Sequence, residues 1–233
     1  MEKKLVTALI LSMVVLGALF GLILYWVIIS VNGDFLIHCI IMGGIFGLVN
    51  SFVALMFLKQ YNDAKMKNRK LDIEIRKDKL TGLYNRHAFD SDIHRLNPKT
   101  VYSMVFLDID NFREFNNIYG HQIGDKILVQ CATIIKNSIR HTDFAYRYGG
   151  DEIVVILPDC GKKEAGGIAK KIIESIRSYD NTPYPMMTLS AGVASMPEDV
   201  GSFEQLIKVS DLTMVMAKDN GKNQVIVNGK DLV

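Results

Sequence analysis

The stretch "RYGGDEIVVILPD", residues 147–159, sets two glycines and two acids directly before a run of apolar, mostly β-branched residues. Such a run reads as a buried strand, and a strand needs neither acid. Gly and Asp are common in solvated hairpin turns, so alone the stretch is a strand entered through a turn. Working outward, the apolar stretch "MVFLDID", residues 104–110, also reads as a strand and ends in Asp108 and Asp110. Strand ends are where loops present chemistry. If the two strands are neighbours, Asp108, Asp151 and Glu152 converge. Such a cluster repels itself unless a cation fills it, and a hard ion such as Mg²⁺ shares its remaining positions with substrate phosphates. The pattern therefore points to phosphoryl transfer.

Around these strands the pattern alternates. "HAFDSDIHRL", "GDKILVQCATIIKNSI", "KKEAGGIAKKIIESIRSY" and "FEQLIKVSDLTMVMAKDN" have helical periodicity, whereas "VYSMVFLDI", "FAYRY", "MMTLSAGVASM" and "NQVIV" read as strands. The fold is α/β or α+β without repeats. No strand is followed by a P-loop or a dinucleotide-binding glycine loop, which disfavours those nucleotide folds. Lys and Arg number 27 against 25 acids, a net charge of +2, and no basic stripe marks a nucleic-acid partner. Cys39, Cys131 and Cys160 are odd in number and far apart, as expected of reduced, packing cysteines.

The first quarter differs in kind. Residues 5–33 and 35–58 carry no charge, each long enough to cross a bilayer, for which a helix needs about 20 residues. Two membrane helices, at about 5–30 and 35–58, are expected. Lys3 and Lys4 precede the first, and eight Lys or Arg residues lie from Lys59 to Lys79. Both termini should then face the cytoplasm, as in a multi-pass protein of the bacterial cytoplasmic membrane. Gly17 with Gly21, and Gly43 with Gly47, have the spacing that permits close helix approach. Residues 59–77 follow as a charged helical linker, a solvated spacer or a short pairing coiled coil.

From residue 78 to about 227 the chain resembles the GGDEF diguanylate cyclases. The matching blocks are "DKLTGLYNR" (78–86), "DIDNFREFNNIYGHQIGD" (108–125), "RYGGDE" (147–152) and "AKDNGKN" (217–223). The resemblance implies an α+β fold, a nucleotidyl-cyclase or palm-like antiparallel sheet flanked by helices, over residues 78–230. It implies a homodimer in which two GTP molecules are condensed to cyclic di-GMP with release of pyrophosphate. By the family pattern Asp108, the carbonyl of Ile109 and Asp151 hold Mg²⁺ or Mn²⁺. Glu152 is a further ligand or the base that deprotonates the ribose 3′-hydroxyl, which makes Asp151 and Glu152 the catalytic acids. Gly149 and Gly150 carry the bend and admit phosphates. Asn116 and Asp125 align with the guanine readers, although either residue type also caps helices. Arg113, Lys218 and Lys222 align with triphosphate contacts, and Arg140 with Asp143 matches an R-x-x-D product-inhibition site for cyclic di-GMP. Ile153, Val215, Lys222 and Asn117 depart from the usual Phe, Tyr, Arg and Asp. None of these removes a metal ligand, but they leave open a weakly catalytic member that binds GTP or cyclic di-GMP as a signalling module.

Overall fold

The computed structural model describes residues 15–17, 19–27, 35–97 and 100–231. It divides into two units, Met1–Leu71 and Asp72–Val233. In the first, a shorter apolar helix, Val15–Val27, precedes most of helix α1, Phe35–Ile75, whose last residues belong to the second. Among the described residues one helical segment, Met42–Lys67, is long and apolar enough to cross a membrane, and it is not buried in the protein. Leu48, Phe52 and Leu55 stand exposed on it, an arrangement that water penalises and lipid does not. Of the two expected spans, the first lies partly outside the described residues; the rings of Phe20 and Phe46 stack with centroids 4.3 Å apart. A Cβ at Gly17, Gly21, Gly43 or Gly47 would meet nothing within 4 Å, so these glycines receive no close neighbour among the described residues. α1 continues without a break through residue 58 into the charged linker and ends at Ile75.

In the second unit a seven-stranded sheet has the order β1-β3-β4-β2-β5-β6-β7. Its strands are β1 Tyr84–Asn85, β2 Tyr102–Ile109, β3 Phe144–Arg147, β4 Glu152–Pro158, β5 Leu189–Met196, β6 Val225–Val227 and β7 Lys230–Asp231. The central pairs β3–β4, β4–β2 and β2–β5 are antiparallel. The sheet as a whole is mixed, because β1 pairs with β3 and β5 with β6 in parallel. This corrects the expectation of a purely antiparallel sheet. A chain that leaves a strand through a packed helix returns in the same direction, as β5 does through helix α6, Phe203–Asp219, to β6.

β2 and β5 are buried along their whole length, since helices cover both faces and alternate residues serve each. Val105, Leu107, Ile153 and Val155 face helices α4, His121–Ser138, and α5, Lys162–Arg177. Met104, Phe106, Val154 and Ile156 face α6 and α2, Arg86–Ile93. Gly192 is where α6 comes closest, since a Cβ there would strike backbone atoms of Ser210, Thr213 and Met214. Cys131 and Cys160 are buried and unpaired, and burial pushes their thiols up to about 12 and about 11. Helix α3, Phe112–Tyr119, lies within a block quoted above for its polar residues and had no helical assignment.

Candidate active site

β2 delivers Asp108 to the sheet edge with Glu152 directly opposite on β4 and Ser190 opposite on β5. The expected neighbouring of the two acid-bearing strands is thus observed. Asp108 is 5% exposed, and the Lys218 ammonium on α6 sits 2.7 Å from its Oδ1. Burial, opposed in part by Lys218 and reinforced by Asp151 and Glu152, raises the Asp108 carboxyl to about 6. Glu152 is likewise raised, by burial first and then by Asp211 and Asp151. Among the described residues no three His, Cys, Asp or Glu side chains form a ligating group. The three carboxylates act on one another through their charge without forming a closed triad. A buried carboxylate met by a single ammonium, beside further acids and the Ile109 carbonyl at the strand end, is oxygen chemistry that fits a hard divalent cation.

The glycine pair lies in the bend between β3 and β4. Neither Gly149 nor Gly150 has a positive φ. Tyr148 and Gly149 both donate from backbone N–H to the Glu152 carbonyl, at 2.8 and 3.3 Å, and close the hairpin. A Cβ on Gly149 would collide with the Glu152 carboxylate, whereas one on Gly150 would meet nothing within 4 Å. Gly149 thus lies in the bend and also leaves the room that the Glu152 carboxylate takes. Arg147 braces the same hairpin: its Nε and Nη2 donate to the Gly150 carbonyl at 3.0 and 2.8 Å. Its Nη1 reaches both oxygens of Asp78 at 3.2 and 3.3 Å.

Asn116 projects from α3 and Asp125 from α4, two helices separated only by Gly120 at φ 84°. Gly124 on α4 leaves the space that the Asn116 side chain fills, and the Asn116 Oδ1 is buried without a hydrogen-bond partner. Burying an amide oxygen unsatisfied is costly, so this atom is poised for a donor from outside the chain. Neither Asn116 nor Asp125 is the N-cap of its helix. Arg113 is exposed on α3, and Lys222 donates from Nζ to Asn111 Oδ1 at 2.6 Å, both residues having positive φ.

Asp110, read from the sequence only as an acid at a strand end, is the anchor beneath that basic loop. Asp110 is 5% exposed and accepts from Thr188 Oγ1 and Ser190 Oγ at 2.6 Å each, and from the Asn223 N–H at 3.0 Å. It fixes the Lys222–Asn223 turn against β5 across 113 residues of sequence, a separation no local pattern reports. Arg140 and Asp143 lie at the far end of α4: the Arg140 N–H donates to Asp143 Oδ2 at 2.7 Å, and its guanidinium pairs with Glu164.

Residues 75–224 match the family described as "Diguanylate cyclase, GGDEF domain". Among curated relatives, the diguanylate cyclase DgcS of Shewanella oneidensis is 34% identical over 164 residues, 68% of this chain and 54% of DgcS. The uncharacterized protein YtrP of Bacillus subtilis is 34% identical over 68% of this chain and 27% of its own length. The chain thus spans between about a quarter and about half of these relatives. Among solved structures, the GGDEF domain of DgcB from Caulobacter crescentus, in complex with c-di-GMP, matches with TM-score 0.59 and 29% identity, covering 65% of this chain and 95% of that one.

Proposed function

Because the chain belongs to the GGDEF diguanylate cyclase domain family, we propose that it condenses two GTP molecules into cyclic di-GMP and two pyrophosphates. The observation that carries this reading is Asp108 facing Glu152 across paired strands, both carboxyls raised by burial and by the acids around them. Asp108, the Ile109 carbonyl, Asp151 and Glu152 would hold Mg²⁺ or Mn²⁺. When bound, the divalent cation offsets charge on the reacting α-phosphate and favours the ionised 3′-oxygen.

The protein's own groups supply the rest. Glu152, whose proton affinity is raised by burial and by Asp211 and Asp151, is suited to take the proton from the ribose 3′-hydroxyl. Lys218, Lys222 and Arg113 would meet the triphosphate, with Lys218 exchanging some of its hold on Asp108 for phosphate oxygens. Asn116 would offer its unpaired Oδ1 to a guanine N–H, and the exposed carboxylate of Asp125 would accept a second, a pattern adenine does not match. The 3′-oxygen of one GTP attacks the α-phosphorus of the other, which is why two copies facing each other are required.

The apolar character of Met42–Lys67 and the stacked Phe20–Phe46 pair support a two-helix membrane hairpin ahead of a helical linker and the cyclase domain at 78–230. In a bacterial cytoplasmic membrane the flanking Lys and Arg residues place both termini and the cyclase domain inside the cell.

The test is product analysis of the purified full-length protein in detergent with GTP and Mg²⁺, beside an Asp151→Ala, Glu152→Ala variant. Cyclic di-GMP from the intact protein alone is expected. Equal output from both, or none from the intact protein in detergent and in native membranes, overturns the reading.

A further inference from the structure

Helix α6 packs one face on the sheet and leaves the other to solvent. Leu206, Met214 and Ala217 are buried on the inner face, which Gly192 admits so close to β5 that a Cβ there would strike the helix backbone. The outer face runs through Lys208, Leu212, Val215, Met216 and Asp219, all exposed. Positions three and four residues apart lie on one side of a helix, so these form a single stripe. A solvated stripe is ordinarily polar, but the middle of this one is apolar: Leu212 is 53% exposed, Val215 42% and Met216 53%. A lone exposed apolar side chain needs no explanation, whereas three together on a firmly packed helix mark a surface for a partner.

The charges at the two ends of the stripe decide which partner fits. The point midway between Leu212 and Val215 is also midway between Lys208 and Asp219. The stripe is therefore its own complement about a two-fold axis, as an interface between identical chains requires. An anionic lipid surface would call for cations along the stripe, not one charge of each sign. We propose that α6 is a self-association surface on which a second copy of this chain packs its own α6 antiparallel. Leu212 then meets the partner's Val215, and Lys208 the partner's Asp219, each twice. The proposal goes beyond the cyclase reading and needs no nucleotide. Three apolar side chains from each copy cannot cover the roughly 1,200 Å² of a stable complex, so the pair forms where copies are concentrated, as on one membrane. Lys218 adjoins Asp219 on the same helix, so pairing steadies the helix that reaches Asp108.

The experiment measures energy transfer between labelled copies of the full-length protein in phosphatidylcholine vesicles, with EDTA and no nucleotide, as the protein-to-lipid ratio is varied. The variants are Lys208→Asp, Asp219→Lys and Leu212→Ser. Each charge reversal turns two symmetry-related attractions into repulsions and should weaken association about tenfold at low salt. In about 1 M salt that loss should shrink, whereas the loss in Leu212→Ser should persist. An equal mixture of the two charge-reversed proteins should associate like the parent, because each then meets its opposite. Mixing repairs neither a misfolded chain nor the loss of a different partner. A parent that does not associate overturns the proposal. Association that all three variants leave intact also overturns it, and leaves the stripe to lipid or to another protein. Weakening that mixing fails to restore overturns the antiparallel register. Synthesis of cyclic di-GMP stands on its own test, since no nucleotide is present in this one.

Discussion

Asp108 is held under opposing demands, since function wants its carboxylate ionised and burial favours the acid. With an ordinary value near 3.9 in the unfolded chain and about 6 in the fold, ionisation costs on the order of 2–3 kcal/mol of stability. The sign follows from the raised value: below about pH 4 the group is protonated in both states and costs nothing. The cost grows as pH rises to about 6 and is complete above it. Asp108→Asn should therefore raise the melting temperature of metal-free protein at pH 7.5, leave it unchanged near pH 4, and abolish product formation. Thermal melts in EDTA across that range check it; a melting temperature lowered at pH 7.5 contradicts it. The glycines offer a sharper contrast. Gly149→Ala should cost activity by displacing the Glu152 carboxylate, whereas Gly150→Ala, with open space for its methyl, should stay within a few-fold of the parent. Gly124→Ala should push Asn116 out of place and raise the KM for GTP more than it lowers kcat. Steady-state kinetics of the three variants separates these roles.

At the scale of elements, the hairpin between β3 and β4 depends on a brace from outside the sheet. Arg147 joins the Gly150 carbonyl to Asp78, three residues past the end of α1. Burial alone would raise the Asp78 carboxyl, but bonds from Thr81 and the charge of Arg147 outweigh it and hold it below the usual carboxylate range. Arg147→Ala removes these bonds and leaves the hairpin held by its own short backbone contacts. Turnover should fall about tenfold or more, because small displacements of catalytic groups are costly. Stability should fall by only about 1–2 kcal/mol, the worth of a lost charged hydrogen bond in a partly exposed setting. Asp78→Asn should fall between parent and Arg147→Ala. A melting temperature that collapses, rather than a kcat that falls, would show that the brace serves folding instead.

For the whole molecule, the division at residues 71 and 72 predicts a second unit that folds alone, because its core clusters draw only on residues from its own side of the division. The Asp72–Val233 fragment should be soluble without detergent and melt in one cooperative transition. Its specific activity should rise with protein concentration if two copies must face each other, and a flat dependence would count against that requirement. Local patterns in the sequence determined the strands ending in Asp108 and beginning at Glu152, the helices that cover them, the apolar first quarter, and which side chains carry acid or base. Periodicity and residue type are enough for that, since each reports on a few neighbouring positions. The parallel pairing of β1 with β3 and of β6 with β5, the Asp110 anchor under Asn223, the hold of Lys218 on Asp108, the Arg147 brace and the room that Gly124 leaves for Asn116 were decided by tertiary structure alone. Each joins residues distant in sequence or depends on whether a neighbour fills a space of one methyl group, and packing in three dimensions sets both.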